Sequence, residues 1–264
     1  MAVRISQTKS GTSTLASTTV TWNSDTVTGN LIVVAVATNI TTDVSTITDS
    51  QSNTYVNACI AVGTGIGCEI WYAKNIIGGT TPTVTVNYTS GATAAVVIQE
   101  YSGIDNVTTT DRTSTSSGNS TNLSSGTTTK TNQNLELLIG VGGLLSGTFT
   151  VGSGYINLTQ QANATVNVAI EDQMVITTGT QSATFTASGS NQWACGIATF
   201  RISPQGTTTS TSSTSSSSTS MSSTSSSMSS TSSSQSTSST SSSSVSTSST
   251  SRSTSTSSTS SSFS

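Results

Sequence analysis

Acid–base chemistry in this 264-residue chain would have to come from carboxyls, because it has ten Asp and Glu and no histidine. The acids in strand-like segments are Glu69, Glu100, Glu136 and the neighbours Glu171 and Asp172. A glycosidase needs two such groups about 5–10 Å apart in a cleft. Glu69 and Glu100 are candidates for one sheet face, but no two of these acids show the spacing that sets a pair on one face of one strand. Each therefore reads as an isolated strand acid that bonds internally or faces water. Residues 1–203 hold no Gly-x-Ser-x-Gly nucleophile motif. Gly63-Thr64-Gly65-Ile66-Gly67 has the glycines of a phosphate loop, but neither the lysine nor a following helix, and reads as a hairpin turn. Asp43, Asp49, Asn53, Asp105, Asn106 and Asp111 fall in loops where oxygen ligands would suit calcium. The run Asp49–Asn53 is better read as a turn in which Asx side chains bond the backbone. No catalytic residue, metal or cofactor is assigned.

Three cysteines, Cys59, Cys68 and Cys195, cannot all pair within one chain. A hairpin closing about residues 63 and 64 would set Cys59 directly across from Cys68, a candidate cross-strand disulfide beside the alternative of two small buried thiols. Cys195 reads as a core thiol. Trp71 and Tyr72 are candidate ligand-contact aromatics; as strand neighbours they must point to opposite faces. Seven Asn-x-Ser/Thr sequons, at Asn39, Asn87, Asn106, Asn119, Asn122, Asn157 and Asn163, are candidate N-glycosylation sites. Asn119 and Asn122 lie in the most polar segment.

Charge excludes further classes. Charged residues make up 6% of the chain, against about 25% in an ordinary soluble domain. Seven scattered cations cannot line a phosphate track, so nucleic acid is not an expected partner. The longest apolar run, Leu31 to Ala37, falls far short of the roughly 20 residues of a membrane span. The opening residues MAVRISQTKSGTST carry no apolar run, so no Sec-type leader is expected there. With Ser, Thr, Asn and Gly in place of Lys and Glu, the surface chemistry reads as extracellular. Few titrating groups also imply tolerance of low pH.

The elements that must position these residues are short strands. Residues 1–203 show Gly, Asn, Asp, Ser and Thr turns and no 3.6-residue period, which predicts an all-β, two-sheet antiparallel β-sandwich, jelly-roll-like, of about eleven strands. Predicted strands are Val3–Gln7, Thr18–Trp22, Leu31–Thr38, Tyr55–Val62, Ile66–Lys74, Pro82–Tyr88, Thr93–Tyr101, Leu135–Gly142, Val166–Ile176, Ser182–Ala187 and Gln192–Ile202. Leu31–Val36 does not alternate and should be covered on both faces. Residues 106–134 hold only Val107 and Leu123 as aliphatic side chains. They should hide one or two Thr-rich edge strands, such as Gly126–Thr131. Residues 204–264 include 52 Ser or Thr among 61. Such a segment lacks the apolar area to offset ordering entropy, so a disordered tail is expected, a flexible tether or an O-glycosylated stalk.

The order of segments resembles a known type. Asn30–Val36 is followed by Ile47–Tyr55, Ile70–Asn75, Val97–Asp105, Leu135–Gly140 and a closing strand Trp193–Arg201. This is similar to a recurrent jelly-roll-like β-sandwich domain in surface and virion proteins of bacteria, archaea and their viruses. The resemblance covers most of residues 1–203 and carries over no catalytic residue. It implies a non-enzymatic structural or attachment protein on a virion or cell surface. Expected partners are further copies, other surface or capsid proteins, or host-surface glycans. The alternative is a lectin-like carbohydrate-binding module.

Overall fold

The computed structural model describes residues 3–13, 16–39 and 44–203. The expected tail, 204–264, lies outside the described residues. Fourteen strands form three antiparallel sheets that do not close into a barrel, and the described residues include no helix. The strands are β1 (Val3–Ser13), β2 (Ser17–Thr21), β3 (Leu31–Thr38), β4 (Val44–Asp49), β5 (Val56–Gly63), β6 (Ile66–Ala73) and β7 (Thr83–Tyr88). They continue as β8 (Ala94–Ser102), β9 (Thr110–Ser124), β10 (Glu136–Leu144), β11 (Phe149–Thr150), β12 (Ile156–Ala162), β13 (Asn167–Val175) and β14 (Thr184–Arg201).

The central sheet has the order β1-β8-β3-β6-β5. On one side it packs against a six-stranded sheet, β11-β14-β10-β13-β12 with β9 also on β14. Val33, Ala35, Ile70 and Val97 meet Ile139, Val141, Ile170 and Ala198 there. On its other side lies a small sheet, β2-β7-β4, where Val34, Val36, Val96 and Ile98 meet Val20, Val84 and Val86. The all-β antiparallel architecture is the one expected, with three sheets in place of two. The third sheet is why all eight residues of β3 are buried, as its unbroken apolar run requires. β7, covered on one face only, alternates buried and half-buried positions.

A smaller core lies on the outer face of the six-stranded sheet. The β9–β14 ladder loses register between Thr186 and Asn191. Beyond that point the chain returns over the sheet, so that Phe185 and Phe149 approach Gly142 and Ala183 approaches Gly140. A Cβ at Gly140 or Gly142 would lie 2.6 or 2.9 Å from those side chains, so the close approach requires glycine.

Several expectations are corrected. Ser182–Ala187 and Gln192–Ile202 belong to one continuous strand, β14. β4 carries a register shift between Val44 and Thr46, and β12 one between Ile156 and Thr159 with Asn157 at φ 57. These irregularities break the alternation by which either strand would be recognised. The polar segment does hide a Ser/Thr strand, but at Thr110–Ser124. Residues 125–131 run alongside 179–183 instead, through Ser125 N to Ala183 O (2.9 Å), Thr128 N to Gln181 O (2.8 Å) and Thr131 N to Gly179 O (2.9 Å).

Candidate functional site

Scarce charge makes the buried carboxylates the first place to look for chemistry. All four glutamates, Glu69, Glu100, Glu136 and Glu171, are buried. Glu69 and Glu100 share the small-sheet face of the central sheet, as expected. Glu69 stands opposite Val36 and Glu100 opposite Ile32, on the two strands flanking β3. Four residues along and two strands across is roughly 16 Å, too far for paired catalysis. Glu136 stands opposite Val175, four residues beyond Glu171 on β13, a separation of roughly 14 Å.

Glu69, Glu100, Glu171 and Asp172 each tie a strand to a loop or to another strand. Glu69 Oε1 accepts from Val44 N (2.8 Å), while Oε2 accepts from Trp71 Nε1 (2.6 Å) and Asn57 Nδ2 (3.1 Å). Glu100 Oε1 accepts from Val27 N (2.8 Å) and Asn30 Nδ2 (2.7 Å), fixing the loop before β3. Glu171 Oε2 accepts from Gly152 N (2.8 Å). Burial pushes the Glu171 carboxyl up to about 8, against the hydrogen bonds from Gly152 and Thr184. Asp172 faces the inter-sheet core, where its oxygens accept from Tyr101 Oη (3.1 Å) and Asn157 Nδ2 (2.8 Å).

Asp111 and Glu136 are the two acids that the fold brings together. Asp111 lies where the β9–β14 ladder is irregular, between Ala198 and Phe200 on β14, and Glu136 is the cross-strand partner of Arg201. Asp111 Oδ1 accepts from Arg201 Nη2 (2.8 Å), and Oδ2 from Asn132 N (2.6 Å). Arg112 donates to Asn132 Oδ1 (2.9 Å) and to Lys130 O (2.9 Å), closing the loop back on β9. Burial opposes ionisation of Asp111, but the bonds from Arg201 and Asn132 outweigh it and hold the carboxyl down to about 2. Burial pushes Glu136 up to about 7; Thr199 works against this, and the Asp111 carboxylate reinforces it.

One low and one high carboxyl side by side is how acid–base enzymes divide labour. Here Glu136 has no exposed surface and the Asp111 side chain is 1% exposed. The arrangement therefore works as a latch joining β9, the loop at Asn132 and the end of β14, with the Glu136 carboxyl of β10 enclosed beside it. Sequence reading placed Asp111 only among calcium-type loop residues and overlooked Arg201. The signal available was scarcity itself, an Asp-Arg pair inside a segment, 106–134, whose one other charge is Lys130.

The remaining candidates do not converge on one place. Asp49 is saturated: it accepts from Gln51 N (3.0 Å), Asn53 N (2.9 Å), Asn53 Nδ2 (2.8 Å) and Tyr55 Oη (2.9 Å), which is the Asx turn expected. Trp71 packs against the small-sheet core. Tyr72 points the other way, edge-on to Phe200 at 5.4 Å between ring centroids. They form no common platform.

The hairpin register differs from the one expected. The turn is Thr64-Gly65, with Gly65 at φ 70, so Gly63 pairs Ile66, Ala61 pairs Cys68, and Cys59 pairs Ile70. Cys59 and Cys68 are thus diagonal rather than opposite, and all three cysteines are free thiols. Their thiols reach toward Ile197 O, Val141 O and, for Cys195, Ala183 O.

Of the sequon asparagines, Asn106, Asn119, Asn122 and Asn157 are exposed, and Asn39, Asn87 and Asn163 are half-buried. Asn39, Asn87 and Asn163 donate to Thr165, Thr46 and Ala94. Comparison of the chain with protein-family models, with curated proteins and with solved structures gives no match.

Proposed function

We propose that the protein is a non-enzymatic structural or attachment component displayed on a virion or cell surface. The observation that carries this reading is the placement of charge. Glu69, Glu100, Glu171, Asp111 and Asp172 are spent inside the fold, tying strands and loops together, and Glu136 is enclosed beside Asp111. Ser, Thr, Asn and Gly are left to meet the surroundings. The segment order similar to virion and microbial surface sandwiches supports the same reading, with the Ser/Thr-rich 204–264 as tether or glycan-bearing stalk. Asn119 and Asn122, exposed on β9, are the first candidates to carry N-linked glycan in a host that attaches it. Contacts with other surface proteins or host glycans would then be made by surface strands and loops rather than by a reaction centre.

Amine labelling of intact particles and cells tests this. Lys74 and Lys130 are exposed. A membrane-impermeant reagent should modify them before lysis, and the chain should co-purify with particles or with the surface fraction. Labelling that appears only after lysis would overturn the proposal. Tight, aromatic-dependent binding to one sugar class on a glycan array would move the assignment to a carbohydrate-binding module.

A further inference from the structure

Four polar side chains meet where β8 of the central sheet faces β12 and β13 of the six-stranded sheet. Gln99 stands opposite Val33, Tyr101 opposite Leu31, Asp172 opposite Ile139 and Thr159 opposite Ile170. Cross-strand partners share a sheet face, and all four partners belong to the inter-sheet core, so the polar side chains point into it. Gln99 and Tyr101 have no exposed surface, Asp172 has almost none, and Thr159 is half-buried. The Gln99 amide is held at both ends. Its Oε1 accepts from Tyr101 Oη, and its Nε2 donates to Thr159 Oγ1 (3.3 Å). The same phenol donates to Asp172 Oδ2 (3.1 Å), so carbonyl, phenol and carboxyl form a chain. A hydroxyl thus touches the atom next to the amide carbon Cδ, while a donor holds the carbonyl oxygen. A nucleophile, an acyl carbon and a donor on its oxygen are the parts of acyl transfer.

We propose that Thr159 and Gln99 join as an ester in the folded chain, in a single self-catalysed turnover that ties β12 to β8. A shift of about one bond length carries Oγ1 from Nε2 onto Cδ, where the new C–O bond forms. The carbonyl electron pair moves onto Oε1, and the Tyr101 hydroxyl, backed by Asp172, stabilises it there. The nitrogen, now an amine, takes up the threonine proton. The Cδ–Nε2 bond then breaks with its electron pair on nitrogen, ammonia leaves and the carbonyl re-forms. Nothing is oxidised or reduced, and no other reactant enters. Holding the hydroxyl against the amide supplies the high effective concentration of an intramolecular reaction, and escape of ammonia into solvent draws it forward. Burial keeps water from competing with the threonine and then from hydrolysing the ester. The product is a covalent tie between the two main sheets in a chain whose three cysteines are free thiols. It goes beyond surface display and does not depend on it.

Peptide mapping of the purified, folded full chain tests this. Trypsin should leave residues 75–112, which hold Gln99, joined to residues 131–201, which hold Thr159. The joined pair should weigh about 17 Da, one ammonia, less than the two peptides together. Alkaline hydroxylamine, which cleaves esters, should separate them. Thr159→Ser keeps the hydroxyl and should keep the join, whereas Thr159→Val should abolish it. Tyr101→Phe should slow joining by about tenfold or more, through loss of the donor on Oε1. Separate peptides of unaltered mass from the folded natural chain overturn the proposal and leave Gln99 and Thr159 with a hydrogen bond only. A join that survives Thr159→Val, or that resists hydroxylamine, overturns it as well. None of these results bears on surface display, which amine labelling tests.

Discussion

The Asp111 carboxylate receives a 2.8 Å hydrogen bond from the guanidinium of Arg201, ninety positions further along the chain. It fastens the polar strand β9 to the end of β14. Replacing Asp111 by Asn should cost about 2–3 kcal/mol, because Arg201 then loses its ionised partner at a site where Asp111 is enclosed. Arg201→Gln should cost a similar amount, and the double variant less than the sum. Urea unfolding of the three variants measures this; additive losses would show that the two groups do not act as a pair.

Stability should rise as pH falls from about 8 toward 4.5. Glu136 and Glu171 are raised from 4.5 to about 7 and about 8. Below 4.5 they are neutral in both states; between 4.5 and the raised value the unfolded chain ionises while the folded one resists, so stability is lost as pH rises through that window. Asp111 acts in the opposite sense. Held down from 3.8 to about 2, it stabilises above 3.8 and ceases to do so as pH falls through about 2. The melting temperature should therefore peak in mild acid, and Glu136→Gln should flatten the loss between pH 5 and 7. A peak at pH 8 or above would contradict this assignment.

Glu69 anchors three elements, so Glu69→Gln should destabilise although it is nearly isosteric. Its new amide must turn a donor toward either Val44 N or the Trp71 and Asn57 donors now held by the carboxylate. The expected loss is about 1–3 kcal/mol. A change in tryptophan emission should accompany it, from release of the Trp71 indole, and the two are read together in one denaturation series.

The thiols should be inert in the native state. Burial, and then the nearby Glu69 carboxylate, push Cys59 up to about 12, and burial raises Cys68 and Cys195 as well. Iodoacetamide near neutral pH should label none of the three until denaturant is added, when all three should react. Mass spectrometry of native and unfolded samples reads the outcome; rapid native labelling of Cys59 would show that its strand opens.

Removing residues 204–264 should leave the melting temperature within about 2 °C, a change of less than about 1 kcal/mol for a domain of this size. The last strand is secured before that point: Ser203 N donates to Gly103 O (2.9 Å) and Ser203 Oγ to Ile104 O (2.9 Å). Calorimetry of the chain ending at Ser203 checks this, and unfolding on truncation would mean that part of 204–264 belongs to the body.

The β class, the strands richest in Val and Ile, and the double-sided burial of Leu31–Val36 are legible in the chain itself, because strand periodicity and apolar runs are local properties. So are the Asx turn at Asp49 and the opposition of Trp71 and Tyr72. What only the tertiary structure decided is where local pattern gives no information. A two-residue turn at Thr64-Gly65, rather than one starting at Gly63, moved Cys59 from Cys68 to Ile70. Bulges hid β4 and β12 by breaking the two-residue alternation. Thr110–Ser124 became a strand through its ladder to β14, since its Ser/Thr side chains carry no apolar stripe. The carboxylate latch was least legible of all: only when three distant segments meet do the Arg201 and Asn132 bonds lower Asp111, the Asp111 bond raise Arg201 and burial raise Glu136, and such partners and such burial belong to the packed fold rather than to sequence spacing.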